Sequence, residues 1–327
     1  MALRTPSQVT PPPREAGGDN EVPRDNLGRP RIIVVCLACD QTGRVPSEKR
    51  PGQTVQCKRC KGEGFRLESY TRTTTFIDCI EDKSNLMAWS KRMVLLGAAS
   101  DPTLLDGVLD RDPAVREDKD WLNRRAETAA TIAGASEKAE KGTQLHALSE
   151  LVDQGIELPD GVSFGDVIDM DAYERATRGF HIEHMERLVV LDEYRVAGTP
   201  DRISRWIGDE PLVAPDGVEI GRDELLITDL KTGTVEYGAL KMAMQLAIYA
   251  NSALYDKDTG SRESIGNINR RWGVIMNAPA GSGECVLYWA DLSMGWEAVH
   301  VARTIRSLRS EGRNALKPLA ETVAVGV

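Results

Sequence analysis

With 327 residues, 41% of them hydrophobic and 28% charged, the chain has room for one large domain plus a small appendage and the ordinary balance of a soluble globular protein. No apolar run approaches the ~18 residues of a membrane span and the N-terminus lacks the apolar core of a secretory signal, so neither a membrane nor an exported protein is expected. Six cysteines, in two close pairs plus two singles, suit a reducing interior better than a disulfide scaffold, which points to the cytoplasm.

The formal net charge of -9 weighs against nucleic-acid binding, because phosphate contacts need a concentrated positive field. Charge is uneven, however. Between Arg44 and Arg72 eight Lys or Arg residues stand against Glu48, Glu63 and Glu68, so a local basic surface can coexist with an acidic whole.

Residues 1–30 hold Pro11-Pro12-Pro13 and Gly17-Gly18 without an apolar period and read as a flexible leader. Residues 31–68 open on Ile32-Ile33-Val34-Val35 and then place Cys36-x-x-Cys39 and Cys57-x-x-Cys60 with seventeen residues between the pairs. Four thiolates in two such knuckles suit a closed tetrahedral zinc site in a zinc-ribbon-like module, structural because no open position is left for catalysis. Cys57-Lys58-Arg59-Cys60-Lys61-Gly62-Glu63-Gly64 also resembles the C-x-x-C-x-G-x-G repeat of DnaJ-type zinc modules, which Cys36-Leu37-Ala38-Cys39-Asp40-Gln41-Thr42-Gly43 matches in part. Lys58, Arg59 and Lys61 are candidates to grip DNA from this module, or to dock a protein partner.

Residues 69–327 alternate strand and helix patterns. The β-branched stretch Thr73 to Ile80 reads as a strand, and Ser84 as the N-cap of an amphipathic helix reaching about Ala98. Asp120 to Gln154 reads as helical apart from Gly134 and Gly142, with His146 and Glu150 one turn apart on one face. Leu188 to Ile203 reads as a strand pair, the turn-rich Gly208 to Glu224 as an excursion, and Leu225 to Lys231 as a buried strand. A helix over Tyr237 to Tyr255, strands over Trp272 to Asn277 and Cys285 to Asp291, and a helix over Gly295 to Arg309 complete the series. Cys79 and Cys285 read as core thiols, His181 and His184 as surface features, and no internal repeat stands out. This order implies an α/β fold with a central mixed sheet flanked by helices.

Chemistry concentrates in Gly198-Thr199-Pro200-Asp201 and Thr228-Asp229-Leu230-Lys231. Strand residues alternate faces, so Asp229 and Lys231 share a side while Leu230 enters the core. Each piece alone has a plain reading: a strand-end ion pair for Asp229 and Lys231, a turn residue for Asp201, a packed histidine for His146, a helix face for Gln245 and Tyr249. Together, in order, they resemble the PD-(D/E)XK nuclease superfamily and within it the RecB-like exonucleases. Gly142-Thr143-Gln144-Leu145-His146 is similar to that branch's G-x-x-x-H helix, Glu186, fifteen positions before Asp201, to its upstream acidic position, and Gln245-Leu246-Ala247-Ile248-Tyr249 to its Q-x-x-x-Y helix. Asn277-Ala278-Pro279-Ala280-Gly281 and Trp289-Ala290-Asp291-Leu292 followed by Gly295-Trp296-Glu297-Ala298 look like stretches of exonucleases of actinobacterial phages, and the likeness covers roughly residues 70–310.

The resemblance implies a metal-dependent DNA exonuclease of recombination, repair or phage DNA processing. His146, Asp201 and Asp229 would hold Mg2+ or Mn2+, the imidazole favouring manganese; Lys231 would orient water or neutralise transition-state charge. Glu186 would assist the metal ligands, while Gln245 and Tyr249 would touch DNA or Lys231. Some RecB-like exonucleases carry an iron-sulfur cluster, but their cysteines flank the nuclease core on both sides, whereas these four precede it, which favours zinc. Two rival readings stand beside this one: a structure-specific endonuclease of the same fold, and a catalytically silent DNA-binding or assembly subunit. The partners implied are DNA and a recombination or replication protein.

Overall fold

The computed structural model describes residues 22–317. Residues 1–21 of the expected leader lie outside that range, but its last part does not behave as a leader: Val22 is buried, and Pro23 and Pro30 accept backbone hydrogen bonds from Arg31 and Tyr70. The N-terminal module has four short strands, β1 (Arg31–Val35), β2 (Arg44–Pro46), β3 (Thr54–Gln56) and β4 (Phe65–Ser69), with β1 antiparallel to β4 and β2 to β3.

The larger part begins with β5 (Thr71–Arg72), α1 (Thr73–Ile77) and a helical turn over Asp78–Ile80, so the segment expected as a strand is helical. Its β-branched residues favour a strand only where a pleated surface awaits them. Here Phe76 and Ile77 are buried side by side in the main core, which a helical turn permits and a strand's alternation does not. Next come α2 (Ser84–Ser100), a helix where one was expected but with Lys83 rather than Ser84 at its cap and no side-chain capping bond, then α3 (Arg116–Ile132), α4 (Glu137–Asp153) and α5 (Phe164–Thr177). Gly134 breaks the long helical stretch, whereas Gly142 stays inside α4.

The strands that follow are β6 (Phe180–Met185), β7 (Val189–Leu191), β8 (Val196–Gly198), β9 (Arg202–Trp206) and β10 (Leu225–Lys231). They lead to α6 (Ala239–Ala250), β11 (Ala253–Tyr255), β12 (Arg262–Glu263), β13 (Trp272–Asn277), β14 (Val286–Asp291) and α7 (Leu292–Glu311). The helix expected to reach Tyr255 thus stops at Ala250 and the chain re-enters as a strand. Neither α5 nor β6 was anticipated, and His181 and His184 lie on the latter. Among the described residues no helix is long and apolar enough to cross a membrane.

Instead of one central mixed sheet there are two, each of five strands: β14-β13-β10-β9-β6, with β10 and β13 parallel, and β12-β11-β7-β8-β5, with β5 and β8 parallel. The α/β class holds. One antiparallel ribbon joins the sheets: its base, β6 with β9, belongs to the first, and its tip, β7 with β8, to the second. Within this ribbon the chain switches sheet twice, at Glu186 going out and at Asp201 coming back.

The first sheet is packed on both faces. Leu226 and Leu230 join Leu145 and Leu148 of α4 and Met170 and Tyr173 of α5, while Ile227, one residue out of phase, joins Leu246 and Ala250 of α6. Period-two alternation therefore turns Asp229 and Lys231 toward the α6 side. The N-terminal module is fused to the second sheet, for Ile32 and Tyr70 share a buried apolar cluster with Leu188, Val190, Ala197 and Tyr255.

Candidate active site and metal centre

Glu186 and Asp201 face each other where the ribbon bends, the Glu186 N–H donating to the Asp201 carbonyl at 3.0 Å. Glu186 adopts φ +47°, a left-handed conformation uncommon for a side-chain-bearing residue and often found at functional sites. The Asp201 side chain crosses to the next strand, where Oδ2 accepts the Leu230 N–H at 2.9 Å, and His146 Nδ1 of α4 lies 3.5 Å from the same oxygen. Asp229 Oδ2 is ion-paired with the Lys231 ammonium. Gln245 Nε2 approaches Asp229 Oδ1 at 3.3 Å and the Tyr249 hydroxyl at 3.2 Å. Glycine is required at 198 by close approach, since a Cβ there would stand 2.8 Å from the Tyr249 ring and 2.4 Å from Thr73 Oγ1.

The sequence-predicted residues His146, Glu186, Asp201, Asp229, Lys231, Gln245 and Tyr249 are therefore neighbours. Tyr249, however, is 3% exposed. A ring so buried cannot stack on a nucleic-acid strand; it steadies Gln245, which in turn steadies Asp229. Lys58, Arg59 and Lys61 are exposed on the second knuckle of the module, away from this cluster in the fold.

Burial and then the charge of Asp201 push the Asp229 carboxyl up to about 6. Burial raises Asp201 too, Lys231 and Arg202 offsetting it in part. Burial alone would lower Lys231, but Asp229 and Asp201 outweigh it and keep the ammonium charged. Burial holds His146 below its ordinary value, so it is a neutral donor at pH 7. The negative charge of Glu186 is felt by both His146 and Asp201.

A second network beneath the first went unread in the sequence. Arg202, next to Asp201 and 1% exposed, pairs with Asp153, which also accepts the Tyr173 hydroxyl at 2.9 Å. Its other arm donates to Ser149 Oγ at 2.6 Å, and Ser149 donates to the His146 carbonyl at 2.7 Å. Strand β9 is thereby locked to α4 within a turn of His146. A signal existed: Ser149 and Asp153 follow His146 at helical spacing on one face. Asn277 closes the far side, its amide donating to the carbonyls of Lys231 at 2.9 Å and Gly233 at 2.8 Å.

Buried Asp229, raised by its neighbour Asp201, and half-buried Asp201, with a neutral imidazole beside them, form a donor set whose chemistry fits Mg2+ or Mn2+. Their oxygens are not gathered as ligands around one point. Among the described residues, the one group of three or more His, Cys, Asp or Glu with ligand atoms all within 4.8 Å of one another is Cys36, Cys39, Cys57 and Cys60.

That cysteine cluster could hold a metal such as zinc. Cys36 and Cys57 sulfurs are 3.8 Å apart and those of Cys39 and Cys60 3.6 Å apart. A tetrahedron with ~2.3 Å metal–sulfur bonds has edges of about 3.8 Å, so a single ion fits where a cluster of several irons would spread the sulfurs wider. Burial pushes the Cys39 thiol up to about 12, while at Cys60 burial is outweighed by the Gly64 amide, aided by Cys39 and Gly62, which brings it down to about 7, so Cys60 is the thiolate of the pair and Cys39 holds a proton that a metal would displace.

The module contains a repeat that the sequence reading missed. Cys36 and Cys57 are 21 residues apart, as are Cys39 and Cys60. Positions 40, 41 and 43 take positive φ, and so do 61, 62 and 64. Each half receives the other: the Cys36 N–H donates to the Gly64 carbonyl at 2.9 Å and the Cys57 N–H to the Gly43 carbonyl at 2.8 Å. A Cβ at Gly43 would meet the Gly62 oxygen at 2.0 Å, and one at Gly64 the Gln41 oxygen at 2.1 Å. Gln41, at φ +62°, occupies the place that Gly62 holds in the second half, which hid the repeat.

No family model matches this chain, and a search of curated proteins returns no match.

Two outcomes follow from this geometry. Gly64→Ala should abolish tight zinc retention, which metal analysis of the purified chain will read as a fall from about one equivalent toward zero; full retention would contradict the clasp between the knuckles. Because the Asp229 carboxyl is raised from 3.8 to about 6, its contribution to stability is complete below pH 3.8 and lost as pH rises through about 6. Thermal unfolding without divalent cation should show a loss of up to about 3 kcal/mol across that window. In Asp229→Asn that part of the slope should vanish, and an unchanged slope would exclude the buried carboxylate as its origin.

Proposed function

We propose that this protein is a metal-dependent deoxyribonuclease that hydrolyses phosphodiester bonds, acting as an exonuclease. The observation that carries the reading is the convergence of Asp201, Asp229, Lys231 and His146 from a sheet-switch point, a strand and a helix onto one charged, largely buried site. Gathering two carboxylates against a single ammonium in a largely buried site is costly, and a fold that did so for binding alone would gain nothing from it. The order of the residues, which resembles the RecB-like exonucleases, gives the preference for exonuclease over a structure-specific endonuclease of the same fold. A catalytically silent DNA-binding or assembly subunit remains the reading from another class, with the cysteine module as its working part.

In this reading His146, Asp201 and Asp229 would hold Mg2+ or Mn2+. The cation, when bound, supplies a water of lowered pKa and screens the phosphate. The Leu230 N–H fixes the Asp201 oxygen that faces His146, so the carboxylate does not swing away. Gln245 does the same for Asp229 and is itself braced by Tyr249. Lys231, held charged, neutralises the negative charge that grows on the phosphate oxygens during in-line attack. Glu186, at the bend, steers the field on both His146 and Asp201. Zinc in the four-cysteine site is structural, and its module grips DNA.

The chain should degrade end-labelled linear DNA in the presence of Mn2+ or Mg2+ and spare covalently closed circles. Lys231→Ala should lose at least about a hundredfold in rate while keeping its fold and its hold on DNA. Cutting of circles would shift the reading to an endonuclease; absence of cleavage on every substrate would leave the silent subunit.

A further inference from the structure

A cleft of about 440 Å³ lies at the seam between the cysteine module and the second sheet, lined by none of the residues of the acidic site. Its walls carry Arg59 of the second knuckle, Arg66 of β4, Arg195 of the β7–β8 turn and Arg262 of β12, against Glu68 and Asp192. The carboxylates are already committed. Asp192 takes both Nε and a terminal nitrogen of Arg262, at 3.0 and 2.9 Å, and the Tyr70 hydroxyl at 2.7 Å. Glu68 is shared between Arg66 and Arg195, the latter at 2.9 Å.

Positive charge and donors are left over. Arg59 has no hydrogen bond or ion pair among the described residues, and Arg66 Nε is shut from solvent without an acceptor. Arg59, exposed and unspent, is the group that an anion seated in the cleft would meet. Arg195 reaches the cleft wall from the tight β7–β8 hairpin turn, whose geometry accounts for its φ of +52°. Cys36 also lines the cleft. A zinc tetrathiolate there is formally anionic, but Lys58 and Lys61 lie in the same knuckle to match it.

We infer that this seam binds the phosphodiester backbone of a single nucleic-acid strand, the arginines of module and core closing on it from two sides. The inference rests on the nuclease reading. Guanidiniums suit it because their planar forks pair with phosphate oxygens two at a time. The exposed Leu37 and Val35 at the rim add an apolar surface on which a base can rest. The cleft and the acidic site lie toward opposite ends of β8, Arg195 preceding it and Asp201 following it. At ~3.3 Å per residue, six residues place them up to roughly 20 Å apart, so one strand engages both only if it spans several nucleotides.

The test measures binding of a fluorescent single-stranded oligonucleotide to the full chain, in zinc-containing buffer without Mg2+ or Mn2+, over a range of salt. Arg59→Gln with Arg195→Gln should weaken binding and flatten the plot of log affinity against log salt by about 1.4, the contribution of two phosphate contacts on a single strand. Zinc content, measured on the same samples, should stay at the unsubstituted level. An unchanged Kd and salt slope would overturn the cleft as a strand site. A fall in zinc content accompanying the loss would overturn it as well, by assigning the arginines to the metal centre. Cleavage by the unsubstituted chain, assayed separately with Mn2+, judges the nuclease reading on its own, since the cleft can bind DNA whether or not the acidic site cuts it.

Discussion

The hydrogen bond between the Glu186 N–H and the Asp201 carbonyl marks the constraint on which the rest of this protein depends: one antiparallel ribbon serves two sheets and must bend where they part. Bending there removes Asp201 from regular pairing and leaves its side chain able to reach the neighbouring strand, where the Leu230 N–H receives it. The same strand's alternation then delivers Asp229 and Lys231 to that side. Beneath the bend, the buried pair of Arg202 and Asp153 ties the returning strand to the helix that carries His146. Take away this connection and the four groups belong to three elements with no shared reason to meet. Breaking a buried pair of this kind costs about 3–5 kcal/mol, so the geometry of the site and the stability of the fold are coupled.

The parts of the fold legible in the sequence are those where local pattern and tertiary demand agree. Leu225 to Lys231 and Trp272 to Asn277 read correctly because short continuous apolar runs suit strands covered on both faces, and the final helix because its apolar residues recur at helical period. Thr73 to Ile80 misled because propensity there points to a strand while the core needs Phe76 and Ile77 adjacent. The second sheet was invisible because its strands are two to three residues long and its junction turns on a glutamate in a left-handed conformation, which no composition rule announces. At the site, the carboxylates, the lysine and the histidine were readable from type and spacing. Arg202 was not, since an arginine in sequence suggests the surface and only its position under Asp201 shows it buried.

Charge gives the same lesson on a larger scale. A formal net charge of -9 argues against a nucleic-acid partner, yet the acidic groups include the buried pair that a cation would neutralise, while guanidiniums gather at the seam between module and core. The module is no detached appendage. Arg262 donates to the Ile33 carbonyl at 2.8 Å and the Ile33 N–H donates to Tyr255 at 2.9 Å, so the ribbon leading to the cysteines is stitched to the second sheet. A metal lost from the knuckles would therefore disturb residues 36–64 while leaving the β1–β4 base attached.

We propose that the bent ribbon brings Asp201, Asp229 and His146 within reach of one cation, on which they would close. Titrating Mn2+ into the zinc-bearing chain by calorimetry tests this most directly. One saturable site is expected, its affinity falling by about tenfold or more in both Asp201→Asn and His146→Ala, with zinc retained. Binding that is equally tight in both variants would contradict it.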